Sequence, residues 1–341
     1  MTSRRGCGAS QDPPPDPFLE RERLQLHAPL QLLGGSFRFQ SSNTQLLRLV
    51  DWAFAGLPAH QFSGRSPQFT VRLVLNRVPR ANARLEPPNL TLVGGAGLLG
   101  GVAGSSNFVA VSPAQGSALV AVSRSMLRFP YHTRYELIEF AVFTLAARAQ
   151  ELIPLHAACV SRGERGVLLM GPSGAGKSTL ALHCLLRELE FVSEDAVFVA
   201  PTDLRATGIA NFLHLCPDTL HWLSRQQADL IRGSAVIRRR SGVRKFEVDL
   251  RRDGRRLAAS PPHLAAVVFL SARAGGKSLL RSLSRAEVRS RLAAAQPYAA
   301  SQPQWPTFAR ALERLGGFEL RRGRHPLEAA DALQRLLECA G

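Results

Sequence analysis

Hydrophobic positions change period several times along the chain, and each change predicts an element. Phe37-Arg38-Phe39 alternates apolar and polar, the period of a strand with one buried face, and Phe69 to Leu75 alternates likewise. Between them Leu46, Leu47, Val50 and Phe54 share one stripe at helical spacing, which predicts a helix over Thr44 to Phe54. Asn107 to Ser123 reads as two strands joined at Pro113-Ala114-Gln115-Gly116. The glycine-rich run from Gly94 to Gly104 lacks the strand-then-helix setting of a dinucleotide fingerprint and reads as strand-edge loops. Thr133-Arg134-Tyr135-Glu136 has the form of a capping box and predicts a helix continuing to about Arg148.

Beyond that helix, Pro154 to Ser161 and Gly166 to Met170 are short apolar strands. Leu180 to Leu189 reads as a helix, and Phe191 to Val199 holds one or two strands. Glu247 to Leu250 and Leu264 to Leu270 are further strands, while Ala286 to Ala295 and Leu327 to Cys339 are helices. Strands and helices mix without strict alternation, so the expected class is α/β with a mixed sheet. The expected organisation is a Pro-rich tail over residues 1–20, a smaller N-terminal α/β domain over 21–130, a connecting helix over 131–150 and a C-terminal domain over 151–341.

Composition narrows the class. A hydrophobic content of 45% with 20% charged residues fits a folded protein rather than a disordered or fibrous one. The net charge of +17 is carried almost wholly by arginine, because Lys177, Lys245 and Lys277 are the only lysines. Such a balance suits phosphate-bearing partners, and it equally suits arginines spread over a solvated surface. The cysteines, Cys7, Cys159, Cys184, Cys216 and Cys339, are odd in number, scattered and without a Cys-x-x-Cys pair. That argues against a disulfide framework or a zinc site and for a reducing compartment. No apolar stretch follows Arg4-Arg5, and the longest apolar run, Leu137 to Ala147, is interrupted by Glu139 and too short to span a bilayer. A cytoplasmic location without membrane partners is therefore expected.

The most specific chemical signal is Gly171-Pro172-Ser173-Gly174-Ala175-Gly176-Lys177-Ser178, followed by Thr179, which satisfies G-x-x-x-x-G-K-[ST] in full. An apolar strand leads in and a helix leads out, as a phosphate-binding loop requires. Glycines let the backbone turn its N–H groups inward around a phosphate, and the helix presents its positive end to the same anion. Lys177 supplies a charge for the β- and γ-phosphates of ATP, and the Ser178 hydroxyl suits Mg²⁺. A second run, Gly275-Gly276-Lys277-Ser278, has Ser271 where the leading glycine belongs and reads as a strand-to-helix loop.

An acidic pair, Glu194-Asp195, follows the loop's helix closely, where a carboxylate can reach both Mg²⁺ and the γ-phosphate. No L-S-G-G-Q segment of a transporter ATPase and no N-K-x-D motif of a GTPase is present. With Leu155-His156-Ala157-Ala158 before the loop, the loop itself and the early acidic pair, the chain resembles the HPr serine kinase/phosphorylase family, in particular its HPr-kinase-related branch. The core is also similar to that of phosphoenolpyruvate carboxykinase. The resemblance is strong over Pro154 to Leu215 and weak over the rest of the C-terminal half. It implies a kinase fold in which Glu194 is the acid–base carboxylate, Asp195 holds the metal beside Ser178, and His156 lies near the reacting phosphate and orients the carboxylate. His156 reads equally as a satisfied core histidine, and His183, His214 and His221 read as packing or surface residues. The chain departs from the family at Pro172 and Thr179, where the family has acidic residues, and near Arg205, where it has a second metal-binding glutamate. The resemblance therefore does not carry HPr as the acceptor, or the reverse reaction, with it.

Arg238-Arg239-Arg240-Ser241-Gly242-Val243-Arg244-Lys245 is the densest basic run. It reads either as a loop closing over the nucleotide, with Arg244 or Lys245 on the transferred group, or as a solvated hairpin. It lacks interleaved aromatics or a reading motif, so nucleic acid is not an expected partner. The function expected from the sequence is an ATP- and Mg²⁺-dependent kinase acting on a hydroxyl, serine foremost, of a protein or small compound. The rival is an ATP-binding switch that recruits a partner without phosphoryl transfer. A homo-oligomer is left open.

Overall fold

The computed structural model describes residues 24–339 apart from 63, 65, 77–85, 253–255 and 277. The Pro-rich tail, Cys7 and Lys277 lie outside the described residues. Strand alternation organises the first half. Phe37 and Phe39 fall on the buried face of Gly35–Ser41 with Arg38 exposed between them, and Phe69, Val71 and Leu73 do the same in Gln68–Asn76. The sheet runs Leu26–Leu32, Gly35–Ser41, Gln68–Asn76, Ser117–Ser123, Asn107–Ser112, Leu98–Ala103, Leu90–Gly95. Gly35–Ser41, Gln68–Asn76 and Ser117–Ser123 pair in parallel, and the other junctions are antiparallel.

The first parallel junction needs a crossover, and helix Thr44–Phe54 supplies it. Asn43 caps that helix, its Oδ1 accepting from the amides of Gln45 (2.9 Å) and Leu46 (3.2 Å). Leu46, Leu49, Val50, Ala53 and Phe54 are its buried face.

Two expectations need correction here. The glycine-rich run is not loop: Leu90–Gly95 and Leu98–Ala103 form an antiparallel hairpin that turns at Ala96 (φ 49°) and Gly97 (φ 77°). A Cβ on Gly100 would lie 2.6 Å from the Val109 carbonyl oxygen, so glycine there permits close strand approach. Nor does a capping box start the connecting helix. Pro130 opens it, and the Thr133 hydroxyl donates to the carbonyls of Met126 (2.9 Å) and Phe129 (3.1 Å). Glu136 meanwhile accepts from Arg240. The helix widens into π-helical turns over Thr133–Ile138 before its α-helical stretch, Glu139–Ala149.

The second half holds a mixed sheet in the order Glu190–Ser193, Ala158–Arg162, Arg165–Met170, His263–Ala274, Gly317–Arg322, Leu280–Leu283. Its three central strands, Arg165–Met170, His263–Ala274 and Gly317–Arg322, are parallel. Being apolar on both faces, Arg165–Met170 serves two cores. Val167 and Leu169 face helices Lys177–Leu186 and Pro326–Cys339, whereas Leu168 and Met170 face Arg285–Ala295 and Trp305–Leu315. The Gly275–Ser278 segment joins His263–Ala274 to another strand, Leu280–Leu283, and not to a helix as expected.

Two three-stranded sheets complete the half: Ala206–Gly208, Val197–Val199 and Ile153–Leu155, and Phe212–Leu215, Arg244–Asp249 and Ala235–Arg238. They lie against the first half. Phe198 and Ile209 join its core, Asn211 Nδ2 donates to the Ala53 carbonyl (2.9 Å), and Arg251 donates to the carbonyls of Ala55 (3.0 Å) and Trp52 (2.9 Å). No helix among the described residues is long and apolar enough to cross a membrane.

Candidate functional site

Strand Arg165–Met170 ends under a loop that returns at once into helix Lys177–Leu186. Gly174 (φ 80°) and Gly176 (φ 96°) have left-handed backbones that disfavour any side chain, and they turn the chain tightly enough for this return. The first helical bond runs from the Leu180 amide to the Gly176 carbonyl at 2.8 Å, so the helix N-terminus sits inside the loop. The side chain of Lys177, only 7% exposed, curls over the loop and donates to the carbonyls of Gly171 (2.8 Å) and Pro172 (3.3 Å). Pro172 and Ser173 are exposed, Ser178 and Thr179 half-buried. The Thr179 hydroxyl bonds that of Thr219 at 3.0 Å.

His156 and Asp195 meet Lys177 at this loop. His156 Nε2 is 3.3 Å from Lys177 Nζ, and its Nδ1 is 3.4 Å from Asp195 Oδ1. An ammonium can only donate, so Nε2 is the acceptor and Nδ1 carries the proton toward the carboxylate. Burial lowers the pKa of His156 despite the neighbouring Asp195, which favours this neutral form. Burial also lowers that of Lys177, with Asp195 acting against it. Asp195 Oδ2 accepts from Arg239 Nη2 (3.0 Å) and the Tyr135 hydroxyl (3.2 Å). Burial acts to raise the Asp195 pKa, but Arg239 and His156 outweigh it and hold the carboxyl below its usual range.

Glu194 turns the other way, into the interior. Its Oε1 accepts from the His214 amide (2.9 Å) and contacts His214 Nδ1, while Oε2 is buried without a hydrogen-bond partner. His214 Nε2 reaches Glu247 Oε1 at 3.3 Å, and Glu247 is paired in turn with Arg134. The register explains the contact: His214 and Glu247 are directly opposed on paired strands, so their side chains share a face. The guanidinium of Arg134 lies between the rings of Trp52 (4.6 Å) and Phe212 (4.4 Å). Burial opposes charge on His214, but the Glu194 and Glu247 carboxylates outweigh it and raise its pKa to about 9. His214 is thus neither simple packing nor surface, which corrects the sequence reading. A histidine in an apolar strand, Phe212–Leu215, carries no local sign of a carboxylate partner twenty positions upstream.

Other expectations are redistributed. Arg239, and not Arg244, is the member of the basic run that reaches Asp195. Arg244 is exposed, and half-buried Lys245 acts on Lys177 through its charge alone. Arg205 lies at the opposite end of the sheet from the loop. It contacts His263 at 3.2 Å, and His263 pairs with Arg165, the residue that begins the loop's lead-in strand. His183 is buried edge-on to His325, as a packing residue is, and His221 is exposed.

One cavity borders the loop and a second reaches His156 and Asp195. The first, of about 460 Å³, toward strand His263–Ala274, is walled by Gly174, Thr179, Trp222, Arg324 and His325. The second, of about 620 Å³, includes His156 and Asp195 in its wall.

No family model matches the chain, and no curated protein matches it. Among solved structures, that of the HPr(Ser) kinase/phosphatase from Coxiella burnetii is similar to 55% of this chain and 99% of its own, at 13% sequence identity and a TM-score of 0.26. A likeness at that level is distant, and function has to be read from the side chains.

Proposed function

We propose that this chain is an ATP- and Mg²⁺-dependent phosphotransferase that moves the γ-phosphoryl group to a hydroxyl. The observation that carries this reading is the meeting of Lys177, His156 and Asp195 at a glycine-turned helix N-terminus, with an unpartnered, buried carboxylate oxygen on the adjoining Glu194. The residues suit the substrate. A helix N-terminus inside a glycine loop is a phosphate site, and Lys177 exchanges its two carbonyl partners for phosphate oxygens. The flanking cavity with Trp222 and His325 suits the nucleoside.

The donor set also suits Mg²⁺. No three His, Cys, Asp or Glu side chains converge into a cage among the described residues. The Ser178 hydroxyl and the Asp195 carboxylate are the hard oxygens on offer, and Mg²⁺ characteristically takes one or two carboxylates together with substrate phosphates. When bound there it supplies charge neutralisation across the phosphates. Arg239 adds a second fixed positive charge beside Asp195.

Glu194 Oε2 takes the proton of the acceptor hydroxyl as the new O–P bond forms. The bond between the γ-phosphorus and the β,γ-bridging oxygen breaks, and ADP leaves. His156, neutral, holds Lys177 and Asp195 in register. The test is transfer from γ-labelled ATP with Mg²⁺ into a cytosolic extract and into free hydroxy amino acids, with Lys177→Ala as control. Label that depends on Lys177, in a protein band or a small-molecule spot, is expected. ATP binding without transfer to any pool sinks the proposal and leaves the nucleotide switch.

A further inference from the structure

The cavity of about 620 Å³ touches the proposed reaction centre, and its wall is made by a helix with more apolar surface than its core needs. In Glu139–Ala149, Ala141, Val142, Leu145 and Ala146 are buried in the core of the first half. Phe140, Phe143, Thr144 and Ala147 recur at i, i+3, i+4 and i+7, and together they line the cavity. The two phenylalanines and the threonine are only partly buried: Phe143 packs on Phe198 with ring centroids 5.1 Å apart, and the sides left uncovered border the cavity.

The far wall is fastened to the site itself. Gln296 Oε1 accepts from the His156 amide (2.8 Å), and its Nε2 donates to the His156 carbonyl (2.9 Å), a reciprocal pair that sets this wall against His156. Arg148 then ties the rim, donating to Gln302 Oε1 (2.6 Å) and reaching the Tyr298 hydroxyl (3.4 Å). Phe140, Phe143, Leu152 and Phe198 make the apolar part of the wall, His156 and Asp195 stand on one side of it, and Arg148, Glu151 and Gln302 lie on the polar rim.

Charge further limits the occupant. Arg148 is the one arginine in this wall, against the carboxylates of Glu151 and Asp195. With two carboxylates against one arginine, the wall does not favour an anion, although the chain as a whole carries a net charge of +17. In the phosphotransferase reading the nucleoside takes a different cavity, the one bearing Trp222, Arg324 and His325.

We infer that this cavity is the acceptor site, and that the acceptor is a small hydroxyl compound with an apolar or aromatic body and no negative charge, its hydroxyl directed at His156 and Asp195. The inference rests on the phosphotransferase reading and deepens it by naming the acceptor class. The apolar body lies along Phe140 and Phe143. The O–P bond forms as the bond to the β,γ-bridging oxygen breaks and ADP departs, and the hydroxyl proton is taken up by the Glu194-Asp195 carboxylate pair, of which Asp195 stands in this wall.

The full chain is assayed with γ-labelled ATP, Mg²⁺ and matched probes: 2-phenylethanol, glycerol, phenyllactate and a serine-containing peptide. Transfer to 2-phenylethanol should exceed transfer to glycerol or phenyllactate by about tenfold or more in kcat/KM. Thr144→Trp, which fills the cavity from its wall, should raise the KM for 2-phenylethanol about tenfold and leave ATP affinity unchanged. Tyr298→Ala alters the rim at a residue 61% exposed and so without a folding penalty. It should raise the same KM. Label in the peptide or in a protein, unchanged by both variants, overturns the acceptor assignment and leaves the phosphotransferase standing. ATP bound with no Lys177-dependent transfer to any probe or extract overturns both.

Discussion

Glu194 and Asp195 are neighbours in the chain, yet each belongs to a differently built region. Asp195 faces the loop in a partly buried cluster with His156, Lys177, Arg239 and Tyr135, in which His156 is the most exposed member. Glu194 ends a buried chain through His214 and Glu247 to Arg134, which is 1% exposed and held between two aromatic rings. Lys177 rests on loop carbonyls, and its ammonium is free to trade them for phosphate oxygens. The inner chain is held by pairing from Glu194 Oε1 through His214 and Glu247 to Arg134, where an unpaired charge is costly, and it leaves Glu194 Oε2 without a partner. The difference teaches how one dipeptide can set its two carboxylates in unlike surroundings: one in an electrostatic cluster at the loop, the other fixed and oriented in the interior.

The sharpest way to break the comparison is to remove the charge of Glu194 while keeping its shape. Glu194→Gln should lower turnover by roughly 10²- to 10⁴-fold, the usual contribution of a positioned general base, with ATP affinity unchanged. In the proposed reaction the outer cluster binds and the inner carboxylate reacts, so the two constants should separate. Single-turnover transfer with a parallel ATP titration checks this. A loss of ATP affinity that accounts for the whole effect would mean that Glu194 belongs to the grip and not to the chemistry.

Next in size is the far end of the buried chain. Arg134→Ala should cost about 3–5 kcal/mol of stability, because it leaves Glu247 charged, buried and without its guanidinium. Arg134→Lys should not restore it, since an ammonium cannot match a planar group stacked between Trp52 and Phe212. Urea unfolding of the three proteins measures both effects. Equal stability of the lysine variant and wild type would show that the rings contribute only bulk.

The two regions also differ in how legible they are. The 171–178 loop can be read from sequence because its geometry is local: two glycines with positive φ, a strand before and a helix after, all within about fifteen residues. Helix Thr44–Phe54 is legible for the same reason, its stripe and its Asn43 cap being adjacent in the chain. The buried chain is not, because its links join residues 113, 33 and 20 positions apart and follow from strand register. Thr133 and Glu136 mimic a capping box at the right spacing, but the helix is opened by Pro130, the Thr133 hydroxyl donates to carbonyls of the preceding turns and Glu136 is drawn off by the distant Arg240. The glycine-rich hairpin misleads in the opposite direction. Periodicity treats glycine as a breaker, whereas Gly100 is there to let two strands approach.

The smallest effect, and the one that tests the inner chain as a unit, is pH dependence. His214 titrates near 6.5 when unfolded and at about 9 when held by Glu194 and Glu247. Folding therefore tightens its hold on a proton, so its contribution is whole below pH 6.5 and is lost as pH rises through about 9. The expected loss across that window is on the order of 3 kcal/mol. Asp195 and Glu247, whose pKa values are lowered, act elsewhere: their contributions stand above the ordinary carboxylate range and fade only as pH falls through it. Thermal midpoints between pH 6.5 and 9 should decline steeply in wild type and much less in His214→Gln, which keeps hydrogen-bonding capacity but cannot bind the proton. Glu194→Gln should soften the decline partway, because it removes one of the two carboxylates that raise the pKa. Parallel curves for all three proteins would mean that His214 is neutral in the folded state and that the buried chain is held by hydrogen bonds without charge.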